Sequence, residues 1–332
     1  MESGKKTVLL CGTAGFIGFS LAERLLKDGV QVVGFDSLND YYDVHLKEQR
    51  LSRLMAQRGF TFIKGSLEDK RSLEDVFVQH RPQLVVNLAA QAGVRYSIDH
   101  PDCYIQSNLV GFFHILEMCR RYGTEHLVYA SSSSVYGAND KVPFSTQDKT
   151  DRPVSLYAAT KKANELMAYA YSSLYGIPVT GLRFFTVYGP WGRPDMAYFS
   201  FADAILSGRP IKVFNHGDMY RDFTYIDDIT EGVVRVLRCP PEADDKGVRA
   251  AVYNIGNHRS EKLMDFIRIL EEKLGRKAEL EFLPMQKGDV YSTFADVSEL
   301  EEKFGFSPDT TLEEGLGRFA QWYLSYRQEK QK

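Results

Sequence analysis

The sequence predicts an α/β fold: a doubly wound parallel sheet with a smaller mixed α/β domain. Three observations predict it. Short β-branched runs alternate with helical patterns as far as residue 185, the order of elements that builds a parallel sheet covered by helices. A glycine triplet, Gly12, Gly15 and Gly18, directly follows the first run and opens the first helical stretch. After "YGPWGRPD" (188–195), whose prolines and glycines interrupt regular structure, the elements become shorter and more mixed. At 332 residues, 44% hydrophobic and 26% charged, the chain can build one large domain or two ordinary ones, each with a core.

The expected strands are "TVLLC" (7–11), "QVVGF" (31–35), "FTFI" (60–63), "QLVVNL" (83–88), "HLVYAS" (126–131) and "VTGLRFF" (179–185). The later ones lack clean polar alternation, as strands buried on both faces do. Helical patterns lie near 16–28, 69–80, 101–122 and 155–175. Beyond residue 195 the reading gives a helix near 198–207, a strand-like "RDFTYI" (221–226), a helix at 227–238, "VYNIG" (252–256), a helix at 260–274, "AELEFLP" (278–284) and a last helix from about 311. Thr311 and Glu314 have the spacing of a capping box for that helix. "CPPEADDKG" (239–247) is expected as an exposed loop and "RQEKQK" as a frayed end.

Several function classes are disfavoured. The longest apolar runs fall far below the roughly 18 residues of a membrane span, and "MESGKKTVLL" has no apolar leader core, so the cytoplasm is the expected location. Four scattered cysteines without C-x-x-C, and seven histidines never three to five residues apart, give no metal-ligand spacing. A net charge of −3, from 41 basic and 44 acidic residues, provides no global attraction to nucleic acid. An anionic ligand must therefore be held by a few local arginines.

The glycines have a chemical reason to stand where they do. The turn needs unusual dihedrals, the backbone must approach a pyrophosphate without an intervening Cβ, and the helix must pack closely on the strand. The second strand ends in Asp36, eighteen residues after Gly18, where a carboxylate can bind ribose hydroxyls. That carboxylate would repel a 2′-phosphate and no arginine follows in "DSLND", so the cofactor indicated is NAD rather than NADP.

In "SLYAATKKANE" (155–165), Tyr157 stands four residues before Lys161, which on a helix puts both on one face. Tyr326 and Lys330 have the same spacing, so spacing alone decides nothing. The difference lies upstream: "ASSSSVYG" brings hydroxyls to the carboxyl edge of the sheet, where doubly wound folds bind ligands.

Taken together, G-x-x-G-x-x-G, "NLAAQAGV", "YASSSSVYG", Y-x-x-x-K and "RDFTYIDD" resemble the extended short-chain dehydrogenase/reductase superfamily across essentially the whole chain. Within it the sequence is most similar to the nucleotide-sugar 4-epimerases, above all the UDP-glucuronate 4-epimerases. The resemblance implies a Rossmann domain over 1–187, with 222–257 returning to it, and a nucleotide-sugar domain mainly over 188–332. It implies that NAD is held by Gly12, Gly15, Phe16, Ile17 and Gly18, by Asp36, Asn39, Leu67, Ala89 and Asn108, and by Tyr157, Lys161 and Phe185. Two positions depart from the usual pattern: Cys11 replaces Thr, and Ser66 replaces an Asp near the adenine, leaving Leu67 as its neighbour.

The same resemblance implies a catalytic group of Ser132, Tyr157 and Lys161. Free tyrosine titrates at about 10, and a nearby ammonium and a cationic nicotinamide both favour its ionised form, making it a usable base. Ser133 and Ser134 stand where related dehydratases and decarboxylases carry carboxylates, so chemistry confined to C4 is implied. For the UDP-sugar, Arg193 matches the position that grips a sugar carboxylate, Arg221 the diphosphate clamp and Asp289 the uridine-ribose contact, with Thr186 and Arg95 as further candidates. A homodimer through the helices near 101–122 and 155–175 is also implied. UDP-glucose or UDP-N-acetylglucosamine 4-epimerisation, and a silent NAD sensor, are the alternatives; the intact Ser132, Tyr157 and Lys161 set argues against the sensor.

Overall fold

In the computed structural model, which describes residues 6–139, 141–285 and 291–330, strands and helices alternate as the sequence pattern requires. In order come β1 (Thr7–Cys11), α1 (Phe16–Lys27), β2 (Gln31–Asp36), α2 (Val44–Met55), β3 (Phe60–Lys64), α3 (Lys70–His80) and β4 (Leu84–Asn87). Two single-turn helices, α4 (Tyr96–Asp99) and α5 (Pro101–Tyr104), lead through a π-helical stretch (Ile105–Val110) into α6 (Gly111–Tyr122). Then follow β5 (His126–Ser132), a 3-10 turn (Ser133–Tyr136), α7 (Leu156–Tyr175) and β6 (Val179–Phe184). The remaining elements are β7 (Thr186–Tyr188), α8 (Ala197–Ser207), β8 (Ile211–Val213), β9 (Tyr220–Arg221), β10 (Phe223–Tyr225), α9 (Ile226–Arg238), β11 (Ala250–Ile255), β12 (Glu261–Lys262), α10 (Leu263–Leu274), β13 (Leu280–Phe282), α11 (Ser298–Phe304) and α12 (Leu312–Lys330).

One seven-stranded sheet has the order β11-β6-β5-β4-β1-β2-β3. The pairings from β3 across to β6 are all parallel. Strand order therefore reverses between β1 and β4, and the crevice beyond the carboxyl ends of those strands is where a doubly wound sheet binds its ligand. Val8 through Cys11 on β1 are wholly buried, which is why that strand is continuous apolar sequence and sits centrally.

The chain divides into two compact units: 1–139, 146–184 and 230–254 form one, and 140–145, 185–229 and 255–332 the other. The first is held by the sheet and its helices, through side chains such as Leu9, Val33, Phe77, Val85, Ile115 and Leu127. The second is built on aromatic rings: Phe223 stacks on Phe266 with centroids 4.4 Å apart, and Tyr198 meets Phe319 edge-on at 5.1 Å. Its borders are set by pairing. β10 lies parallel to β7, which keeps 222–229 in the second unit, so the returning segment is shorter than 222–257.

Three local points differ from expectation, and a fourth holds in half. α2 was not foreseen: its inner stripe is Leu46, Lys47, Arg50, Leu51 and Leu54, so two buried basic residues disguise the apolar face. The helix expected over 101–122 is broken by the π stretch, whose Asn108 carbonyl accepts from the Asn164 side chain at 2.6 Å. The tail is not frayed from Arg327; α12 continues to Lys330, with Tyr326 buried and Arg327 donating to Ser207. Thr311 accepts from the Glu314 N–H at 3.2 Å, as a capping box requires, while the Glu314 carboxylate accepts from Arg318.

Candidate active site

Beyond Cys11 the chain turns at Gly12, whose φ of 85° lies in the region that favours glycine. A Cβ there would stand 2.7 Å from the Ala89 nitrogen, just past β4, and one on Gly18 would run into the Gly12 carbonyl. The loop thus approaches the end of β4 as bare backbone. Gly15 is the N-cap of the twelve-residue α1, with no side-chain cap and no acidic residue in the first turn, where Phe16 and Ile17 begin the helix. The positive end of that helix favours an anion. Asp36, at the end of β2, accepts from the Ala14 and Leu38 N–H groups at 3.0 and 2.9 Å. Backbone that excludes side chains, a helix N-terminus and a carboxylate at the next strand end fit a dinucleotide.

Two supports of this cradle, both on α2, escaped sequence reading because that helix did. Arg50, fully buried, donates to the Ala14 carbonyl at 2.8 Å and to the Tyr42 hydroxyl at 2.7 Å. The buried Lys47 donates to the carbonyl and the side-chain oxygen of Asn39, at 2.6 and 2.7 Å. Leu67 is buried, and its carbonyl meets His114 Nδ1 at 2.8 Å. Asn108 is a buried hub: its carboxamide accepts from Gln91 N–H and donates to the Gln91 carbonyl and to Thr160 Oγ1. It ties the segment after β4 to α7.

β5 delivers Ser132 to the same carboxyl edge. Ser132 Oγ accepts from the Ser134 N–H at 3.2 Å and from Ser134 Oγ at 2.9 Å. Tyr157 lies in the first turn of α7, which Ser155 caps by accepting from the Ala158 N–H. Tyr104 packs edge-on to the Tyr157 ring at 6.1 Å. Lys161 Nζ lies 6.0 Å from the Tyr157 ring centroid and donates to the Ala130 carbonyl at 2.9 Å. The lysine is 4% exposed, and burial pulls its ammonium down to about 8. Lys330 lies 5.8 Å from the Tyr326 ring, but it is exposed. The two pairs share a geometry and differ in environment.

The other residues singled out by sequence belong mostly to the second unit. Phe185 is buried, donates its N–H to the Ile255 carbonyl and packs against Phe144 at 6.3 Å. Thr186 begins β7 and donates its N–H to the Asp222 carbonyl. Arg221 donates to the Tyr220 and Tyr291 carbonyls at 2.8 and 3.1 Å. Beside it Asp222, wholly buried, accepts from the Asn257 and Ala295 N–H groups and from Thr224. Burial pushes Asp222 up to about 6 against those donors. Arg193 forms a two-point pair with Asp195 at 3.0 and 2.5 Å. Arg95, in the first unit, is exposed and precedes α4 without a side-chain capping bond. Asp289 lies outside the described residues.

The profile of the NAD dependent epimerase/dehydratase family matches residues 8–256. The chain belongs to this family. It is 52% identical over 330 residues to Protein CapI of Staphylococcus aureus, covering 96% of this chain and 98% of that one. It is 49% identical over 327 residues to a probable UDP-glucuronate 4-epimerase of Rhizobium meliloti, covering 95% and 96%. Among solved structures it is similar to UDP-glucuronic acid 4-epimerase from Bacillus cereus in complex with UDP-glucuronic acid and NAD, with a TM-score of 0.88, 32% identity, and coverage of 96% and 99%. As in the rest of the family, NAD is the cofactor.

A buried lysine of this kind works against folding. Its fall from 10.5 to about 8 corresponds to about 3 kcal/mol of destabilisation at neutral pH. The penalty is complete below pH 8. It fades between 8 and 10.5, where the unfolded chain holds a proton that the folded chain has shed, so stability rises with pH across that window. Lys161→Met is therefore expected to stabilise the NAD-free protein at pH 7 by about 1–3 kcal/mol. The difference should shrink toward pH 10.5, as read by urea unfolding at several pH values. A Met variant less stable than wild type at pH 7 contradicts this account.

Proposed function

We propose that the protein is a UDP-glucuronate 4-epimerase, interconverting UDP-glucuronate and UDP-galacturonate by inversion at C4. The observation that carries this reading is the hydroxyl arrangement at the end of β5. Ser132 Oγ already accepts from Ser134 twice, so its own proton is directed to a further acceptor, for which the sugar 4-oxygen is the natural partner. Tyr157 takes the proton of the 4-hydroxyl, and Lys161, fixed on the Ala130 carbonyl, orients the phenol from one helical turn below. Bound NAD would supply a reversible hydride acceptor for C4, so that inversion there carries no net redox change. Gly12, Gly15, Gly18 and Asp36 hold that cofactor.

Substrate choice rests on Arg193. Asp195 holds its two-point grip in this structure, the grip a guanidinium offers any carboxylate, and in the proposed complex the sugar carboxylate takes the place of Asp195. Arg221 clamps the diphosphate and Thr186 contacts the sugar. Names carried by similar proteins agree with the acidic substrate.

Incubation with UDP-glucuronate, UDP-glucose and UDP-N-acetylglucosamine, with C4 epimers resolved by NMR, tests the proposal. Conversion of UDP-glucuronate is expected, and Tyr157→Phe should lower kcat by about 10³-fold. Arg193→Ala should raise KM for the acid by about 10-fold or more and leave any turnover of a neutral sugar nearly unchanged. Brisk conversion of a neutral sugar alone would overturn the substrate, and equal losses for both kinds would overturn the clamp.

We also propose that two copies associate through α6 and α7. Phe113 on α6, and Leu166 and Tyr169 on α7, are 39%, 61% and 51% exposed, an apolar surface of the kind that marks an interface. The four cysteines are free, which suits a reducing, cytoplasmic setting. Among the described residues no helix is long and apolar enough to cross a membrane. Wild-type protein should run as a dimer in sedimentation velocity, and Leu166→Glu with Tyr169→Glu as a monomer; a wild-type monomer at micromolar concentration would remove the interface.

A further inference from the structure

Beneath the catalytic residues lies a buried ion pair that the chemistry itself does not call for. Glu165 and Arg183 are both about 4% exposed at their side chains. Arg183 Nε donates to Glu165 Oε1 at 2.8 Å and Nη2 to Oε2 at 2.9 Å, a fork-on-fork pair. Burial pulls the Glu165 carboxyl up, but the Arg183 hydrogen bonds and charge outweigh it and hold it below the ordinary range.

The pair reaches five elements of the first unit. Ser131 on β5 donates to Glu165 Oε1 at 2.7 Å, and Lys162 on α7 donates to Oε2 at 3.0 Å. Arg183 Nη1 donates to the Tyr136 hydroxyl, in the turn after Ser132, at 3.0 Å, and Tyr136 donates to Asn254 Oδ1 on β11 at 2.6 Å. Ser131 and Arg183 are register partners on β5 and β6, so their side chains share one face of the sheet and meet Glu165 together.

The spacing relates this cluster to catalysis. Tyr157, Lys161 and Glu165 fall at successive i, i+4 steps along α7, forming one stripe. Lys161 holds Ala130 and Glu165 holds Ser131, so adjacent residues of β5 are pinned by adjacent turns of the helix. Ser132 and Tyr157 lie immediately beyond the two pins. For stability alone such a pair is a poor choice, since a packed apolar pair in its place is often neutral or better.

We propose that Glu165 and Arg183 are positioning residues that fix α7 against the end of β5, and thereby set the placement of Tyr157 and Lys161 relative to Ser132. This rests on the epimerase reading for its catalytic consequence, though not for its geometry.

The test replaces both charges together, Glu165→Met with Arg183→Met, and compares the variant with wild type and with Glu165→Gln. The double variant should unfold within a few degrees of wild type, retain KM for UDP-glucuronate within about 3-fold, and lose kcat by about 30-fold or more. An undiminished kcat at preserved stability overturns the proposal. If the double variant does not fold, Arg183→Lys takes its place. That change keeps the charge and loses the fork, and the same kcat loss at constant KM is expected; an unchanged kcat is fatal. If wild type converts none of the UDP-sugars, the epimerase reading fails. The positioning claim is then read from the Lys161 amine by NMR of ¹³C-lysine protein: a titration near 8 in wild type that moves toward 10.5 in the variant upholds it, and one that stays near 8 refutes it.

Discussion

An ammonium shut away from water is unfavourable unless the protein compels it, and in this chain the Ala130 carbonyl is what holds Lys161 in place. Pairing of β5 with β4 stops at Tyr129, whereas pairing with β6 runs on to Ser132. Residues 130–132 therefore project past the β4 side, and α7 is fastened there. From this anchor the helix reaches Tyr157 four residues back, a rise of about 6 Å. The strand reaches Ser132 two residues on, a rise of about 6.6 Å. Phenol and hydroxyl are brought to nearly one level by the pitches of two regular structures, and the Glu165–Arg183 pair adds a second point of attachment one turn below.

The cofactor side is organised differently. Around Gly12 and Gly18 it is the absence of side chains that matters, because a Cβ at either would occupy backbone already in place. What gives the loop its definition is Arg50, which reaches from α2 to the Ala14 carbonyl, and Asp36, which holds the Ala14 N–H. One residue of the loop is thus held from both its donor and its acceptor. An anion approaching α1 meets a preset backbone, which lowers the entropy lost on binding.

These two mechanisms explain what could be read in advance. Strands β1, β2 and β4 to β6 were legible because a strand covered on both faces has little choice of composition, and the glycines because bare backbone has no substitute. α2 was not legible: Lys47 and Arg50 are buried by partners, Asn39, Ala14 and Tyr42, that lie elsewhere in the chain. Periodicity counts a basic residue as solvent-facing and cannot see a carbonyl that will meet it. Asp222 escaped for the same reason, since it holds backbone N–H groups brought near by folding. The arginines of the second unit could be located in the sequence, but the carboxylate facing Arg193 could not.

The pair Tyr326 and Lys330 makes the general point concrete. Its ring-to-ammonium distance, 5.8 Å, is as good as the 6.0 Å of Tyr157 and Lys161, because helical geometry guarantees the approach wherever the spacing occurs. Helical geometry cannot supply a low-dielectric setting. At Lys161 the surroundings exclude water, and the amine is held by a single strand carbonyl rather than by a counter-ion. An ammonium held in that way keeps its field for the phenol and for an incoming ligand, whereas solvent around the exposed Lys330 screens its field. Chemistry thus depends on the sheet edge to which a Y-x-x-x-K helix is fastened, and that is a property of the fold before it is a property of the motif.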